Sequence, residues 1–111
     1  MSGASSAGTR TQRSGAAGFF EYRLFETENF QRELARLGPT AAKRIRTRLE
    51  NRAYPALRAA PRQVPSSARL KDWDPPTWRL RIGPYRLFYR IDDEERVVWL
   101  IGVSDRKDAY R

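Results

Sequence analysis

Between Phe19 and Phe25 the chain alternates, with Phe20, Tyr22 and Leu24 on one side and Glu21 and Arg23 on the other. A period of two sends successive side chains to opposite faces of an extended backbone, so this stretch predicts a first strand. The period then changes. Phe30, Leu34 and Leu37 recur at i, i+4 and i+7 behind Thr27, whose hydroxyl suits an N-cap, and Gly38 is placed to end the run. These signals predict a helix from Glu28 to Leu37. Pro39 fits the first turn of a second helix, in which Ala41, Ala42, Ile45 and Leu49 form the apolar stripe while Lys43, Arg44, Arg46 and Arg48 face elsewhere. Together they predict an antiparallel helical hairpin with a tight connection.

From Tyr54 to Asp74 the chain meets Pro55, Pro61 and Pro65, each of which interrupts a helix, and irregular structure is expected there, with Leu57 still packed on the core. Three alternating stretches follow, Thr77 to Ile82, Tyr85 to Ile91 and Arg96 to Val103, joined by Gly83-Pro84 and by the acidic turn Asp92 to Glu95. Short turns between such stretches predict an antiparallel meander. The expected fold is therefore α+β: an N-terminal strand, a helical hairpin and a three-stranded meander forming one sheet, with the helices on one face and the other face open. Residues 1–18, rich in Ser, Gly, Ala and Thr with Arg10 and Arg13, show no hydrophobic period and are expected to be a flexible tail. That leaves 19–111 as the domain.

Composition narrows the function. With 111 residues the chain suits one compact core, and 40% apolar residues, including three Trp, five Tyr and five Phe, are enough to build it. The absence of Cys removes disulfides and thiolate zinc sites, and the absence of His removes the commonest metal ligand and general base, so neither metal nor cofactor is expected. Twenty-two Lys and Arg against 13 Asp and Glu give a charge of +9, a field that attracts phosphate polymers, anionic membranes or acidic proteins. No apolar run approaches the roughly 20 residues of a membrane-spanning helix, and no secretory leader is visible, so a cytoplasmic location is expected.

The strand period places candidate chemistry. Arg79 and Arg81 share a face opposite Trp78, Leu80 and Ile82, and Arg86 opposes Tyr85, Leu87 and Tyr89 on the next strand. Three guanidinium groups on an open sheet face suit a phosphodiester, which they can grip bidentately and whose added charge they can stabilise in phosphoryl transfer. Trp99, amid Val97, Val98, Leu100 and Ile101, is expected in the core, as is Trp73 against a helix, and the Asp92 to Glu95 run is expected to be a solvated turn.

The order Arg69-Leu70-Lys71-Asp72, then Trp78-Arg79-Leu80-Arg81-Ile82-Gly83-Pro84-Tyr85-Arg86-Leu87-Phe88-Tyr89-Arg90-Ile91-Asp92-Asp93, then Arg106-Lys107-Asp108-Ala109-Tyr110 resembles the RelE/ParE toxin superfamily. The resemblance extends from about Phe19 to Arg111, and its C-terminal motifs are its specific part. It implies the toxin of a type II toxin-antitoxin pair, a metal-independent mRNA interferase that cleaves messenger RNA on the ribosome by attack of the ribose 2′-hydroxyl and so inhibits translation. Implied partners are a cognate antitoxin that wraps the toxin, in a hetero-oligomer, together with mRNA and the ribosome. Matched by position, Arg79, Arg81, Arg86, Arg106 and Tyr110 take the catalytic places, while Lys71, Arg79, Arg86, Lys107 and Tyr110 bind RNA, Tyr110 by stacking on a base. The chain departs from its relatives by carrying arginine where lysine is common and Ser104-Asp105 where histidine or glutamate occurs. Arginine holds charge well but is a poor base, so Lys71, Lys107, Asp105 and Tyr110 are the candidates for that role. The same resemblance leaves open a non-enzymatic, ParE-like DNA gyrase inhibitor and a decayed RNA-binding member.

Overall fold

The computed structural model describes residues 21–105; the expected tail and the start of the first strand at Phe19 and Phe20 lie outside the described residues. The first strand is β1 (Arg23–Glu26) and leads directly into α1 (Glu28–Arg36). Thr27 caps that helix as expected: its Oγ1 accepts from the Phe30 N–H at 3.1 Å and donates to the Leu100 carbonyl at 2.8 Å, tying the cap to the sheet. Gly38 follows with φ of +97°, a value that glycine adopts without strain, and turns the chain into α2 (Pro39–Arg48).

The second helix outlasts its expected end. A π-helical segment (Leu49–Ala53) joins α2 to α3 (Tyr54–Ala59), and the Tyr54 N–H bonds back to the Leu49 carbonyl. Proline inside a helix lacks a donor and clashes with the carbonyl four residues back. The wider turn just ahead of Pro55 lets the chain pass through it still helical, which corrects the expectation of irregular chain from Tyr54 onward. Past Pro61 and Pro65 a three-residue strand, β2 (Ser67–Arg69), appears that the sequence pattern did not predict. The meander is then β3 (Trp78–Ile82), β4 (Tyr85–Asp92) and β5 (Val97–Asp105).

The five strands form one sheet in the order β1-β5-β4-β3-β2, antiparallel except that β1 runs parallel to β5 at the edge. The helices cover one face. Phe30, Ile45, Leu49 and Leu57 press against Leu87, Tyr89, Val98 and Leu100, all essentially inaccessible to solvent. Each such side chain contributes about 1.5–3 kcal/mol of burial. Trp78 stacks on Tyr89 with centroids 6.3 Å apart, and the Tyr89 hydroxyl donates to the Pro61 carbonyl at 2.8 Å. Burial pushes that phenol up to about 12.

Two polar clusters fasten the two ends of β1. Arg46, expected to face away from the core, instead bonds Glu26 at the end of β1, and the Tyr54 hydroxyl donates to the same carboxyl oxygen. Just before the start of β1, at the β4–β5 turn, Arg62 grips Asp93 through two bonds of 3.0 and 2.8 Å, and the Tyr22 hydroxyl donates to Asp93 at 2.6 Å. The acidic turn, solvent-exposed as expected, also anchors the loop after α3 through Asp93. Among the described residues no helix is long and apolar enough to cross a membrane.

Candidate RNA-binding face

The face of the sheet away from the helices carries the cationic residues. On β3 the helix-facing side chains are Leu80 and Ile82, both buried, so Arg79 and Arg81 project to the opposite side as the period requires. Register then aligns them with β4: Arg81 pairs with Arg86, and Arg79 with Phe88. The Arg81 N–H donates to Ser66 at 3.2 Å, away from β4. Arg81 and Arg86 are accordingly a non-hydrogen-bonded pair, the kind whose side chains lie closest, with Cα atoms about 4.5 Å apart. All three expected arginines of the described region thus share one surface.

Ser104 extends the row. It sits opposite Arg86 on β5, and its Oγ is buried without a hydrogen-bond partner among the described residues, as is Arg79 Nε. Buried polar atoms in that condition cost free energy until something pairs with them. Neither Arg79 nor Arg81 makes an ion pair among the described residues. A serine among strand residues gave no signal of its own in the sequence; only its register with Arg86 brings it into the site.

The other expected site residues fall differently. Lys71 lies exposed in the loop between β2 and β3, at the end where the Leu70 N–H bonds Thr77 and away from the Arg81–Arg86 pair. Asp105 pairs with Tyr85, whose parity is that of the helix-facing residues, so it projects away from the arginines and is a poor candidate for the base. Arg106, Lys107 and Tyr110 lie outside the described residues. No cluster of three acidic, His or Cys side chains suited to a metal occurs among the described residues.

Trp99 is the main correction. It pairs with Arg90 and Phe25 on the open face and is only half-buried, its ring 4.8 Å from that of Phe25 in an edge-to-face contact. The run of apolar neighbours hid a strict alternation in which Val98 and Leu100 point into the core and Trp99 points out. Phe25 is 45% exposed, the one large apolar side chain so exposed among the described residues. Arg90 lies between this pair and the arginine row, its Nε donating to Thr77 Oγ1 at 3.2 Å.

Comparison with known proteins places this arrangement. The sequence model of the family described as the ParE toxin of the type II toxin-antitoxin system, parDE, matches residues 26–110. Toxin RelG of Mycobacterium tuberculosis (strain H37Rv) is 51% identical over 35 residues, a stretch that is 32% of this chain and 40% of that relative. Among solved structures, a chain of the toxin-antitoxin complex RelBE2 from M. tuberculosis superposes with a TM-score of 0.62 and 29% identity, over 78% of this chain and 99% of that one. The isolated RelE toxin of E. coli shares the fold with a TM-score of 0.54 and 24% identity, over 80% of this chain and 87% of that one.

Proposed function

Because the chain belongs to the RelE/ParE toxin superfamily of type II toxin-antitoxin systems, we propose that it is an mRNA interferase, an endoribonuclease that cuts messenger RNA on the ribosome and is held inactive by a cognate antitoxin. The observation that carries the reading is the co-facial set Arg79, Arg81 and Arg86, with Ser104 in the same row, on a sheet face that no helix of the described residues covers. In the reaction the ribose 2′-oxygen attacks the adjacent phosphorus and the bond to the 5′-oxygen of the next nucleotide breaks. A 2′,3′-cyclic phosphate and a 5′-hydroxyl result. The guanidinium groups hold the phosphate in line and neutralise the charge that builds on its oxygens. They do not take the 2′-hydroxyl proton; Lys107 and Tyr110 are the remaining candidates, and Tyr110 also offers a ring for a splayed base. Arg106 would complete the cationic set.

The antitoxin reading is supported by the solved relative, which is a toxin-antitoxin complex. An acidic segment laid over the open face would cover the same arginines that grip RNA.

One observation favours a second reading. The matching family model is that of ParE toxins, and a ParE-like protein would inhibit DNA gyrase without cutting RNA. Controlled expression with mapping of messenger RNA 5′ ends separates the two, run beside Arg81→Ala/Arg86→Ala and Tyr110→Ala. Codon-phased cuts that vanish in the double variant are the expected result. Growth arrest with DNA-damage signalling and no cuts overturns the nuclease, and no arrest at all leaves a decayed RNA binder.

A further inference from the structure

We propose that Phe25 and Trp99 form a second nucleotide subsite, a stacking platform for an unpaired base of the RNA strand whose phosphate is held by Arg79, Arg81 and Arg86. The inference rests on the RNA reading above and goes beyond it, since none of the motif residues includes either ring. Both side chains are on the open face, on neighbouring strands, with Phe25 directly opposite Trp99 and Trp99 directly opposite Arg90. An exposed phenylalanine held edge-on to a half-buried indole at 4.8 Å offers aromatic surface at little entropic cost, because neither ring is free to wander.

The surroundings decide what covers it. Along β4 the residues of this face are Arg86, the buried Phe88 and Arg90, so the platform lies four residues from Arg86, about 14 Å along the strand. A short stretch of splayed single strand spans that distance. Arg90 is oriented by its bond to Thr77, itself fully buried, and makes no ion pair among the described residues. Arg23, two residues before Phe25 on the same side of β1, is exposed. Aromatic faces interleaved with guanidinium groups along a sheet match single-stranded nucleic acid, which needs a stacking surface and phosphate contacts together. A purely apolar partner would leave those two cations under it.

The test uses the full chain and a fluorescein-labelled single-stranded RNA of mixed sequence with 2′-O-methyl riboses, which binds but cannot be cut. Phe25→Leu and Trp99→Leu keep apolar bulk and remove the ring, while Phe25→Trp keeps a ring. Each leucine variant is expected to weaken binding about tenfold or more, within the range for loss of one base stack, with Phe25→Trp near wild type. Thermal melting of each variant confirms that the fold is intact. If the leucine variants bind RNA like wild type, the platform is overturned while the arginine site stands. It is overturned equally if they keep RNA and lose a co-expressed antitoxin, which would make this a protein-docking surface. If the wild-type chain binds no RNA, the platform is overturned, while the nuclease reading stands or falls separately on the mapping of messenger RNA 5′ ends.

Discussion

Arg81 and Arg86 stand directly opposite each other on β3 and β4, on the sheet face that the helices leave uncovered. Like charges in that position repel across the sheet, which uncompensated costs about 0.2–1 kcal/mol, and Arg81 makes no ion pair among the described residues. That cost has a functional explanation if an anion bridges the two.

Replacing Arg81 with Ala should therefore leave the melting temperature unchanged or raise it slightly, while RNA cleavage falls about 10²- to 10³-fold, as when one donor to a developing oxyanion is lost. The plot of log affinity against log salt should also flatten by about 0.7 for each phosphate contact removed from a single strand. Differential scanning fluorimetry and salt-titrated RNA binding check both. A variant that loses activity and melts earlier would assign Arg81 to the fold instead.

How much of this was legible in the sequence depended on whether a residue's role follows from its own neighbours. The period-two pattern of Trp78 to Ile82 is enough to put Arg79 and Arg81 on one face, and Tyr85 to Tyr89 does the same for Arg86. The register that sets Arg81 against Arg86 follows from the two-residue Gly83-Pro84 turn. Ser104 could not be found this way, because the register shift between Phe88 and Tyr89 is what sets it against Arg86, nor could Phe25, because β1 is joined to the distant β5 by parallel pairing that no local signal encodes. The helix through Pro55 was hidden because the π-helical turn that accommodates it has no sequence signature.

Acid should weaken the β4–β5 turn through Asp93. Hydrogen bonds from Arg62 and then Tyr22 lower its carboxyl from 3.8 to about 2. A folded-state value below the unfolded one means stability that is fully present above pH 4 and is lost as pH falls towards 2. Melting temperatures measured across that window should decline less steeply for Asp93→Asn than for wild type, and Asp93→Asn should be the less stable protein near pH 7. Parallel curves would show that the Arg62 pair contributes nothing in solution.

The Glu26 cluster makes a separate prediction. The Tyr54 hydroxyl, held well above the ordinary range by burial and then by the adjacent Glu26, stays protonated and donates to that carboxyl beside Arg46. Tyr54→Phe removes a hydrogen bond to a charged acceptor at a site linking α3 to β1, for an expected loss of about 1.5–3 kcal/mol in urea unfolding. Glu26 points away from the open face, so cleavage by the folded variant at low temperature should match wild type. A loss of activity without a loss of stability would couple the helical layer to the RNA face.

Gly83 tests what holds the β3–β4 turn. Its φ is +60°, and a Cβ there would clash with Arg48 Nη1, since the guanidinium from the end of α2 rests against the turn. Two costs are thus possible for Gly83→Ala, a backbone cost of about 1–2 kcal/mol for a left-handed alanine and a steric one against Arg48. The clash is with the far end of a flexible side chain, which swings aside, so the backbone cost should dominate. Arg48→Ala should then fail to rescue Gly83→Ala in a double-mutant cycle, with a coupling below about 0.5 kcal/mol. Rescue would mean that Arg48 is locked in place over the turn. Because this turn fixes the register of Arg81 against Arg86, the folded Gly83→Ala protein should also cut RNA more slowly than wild type, yet faster than Arg81→Ala.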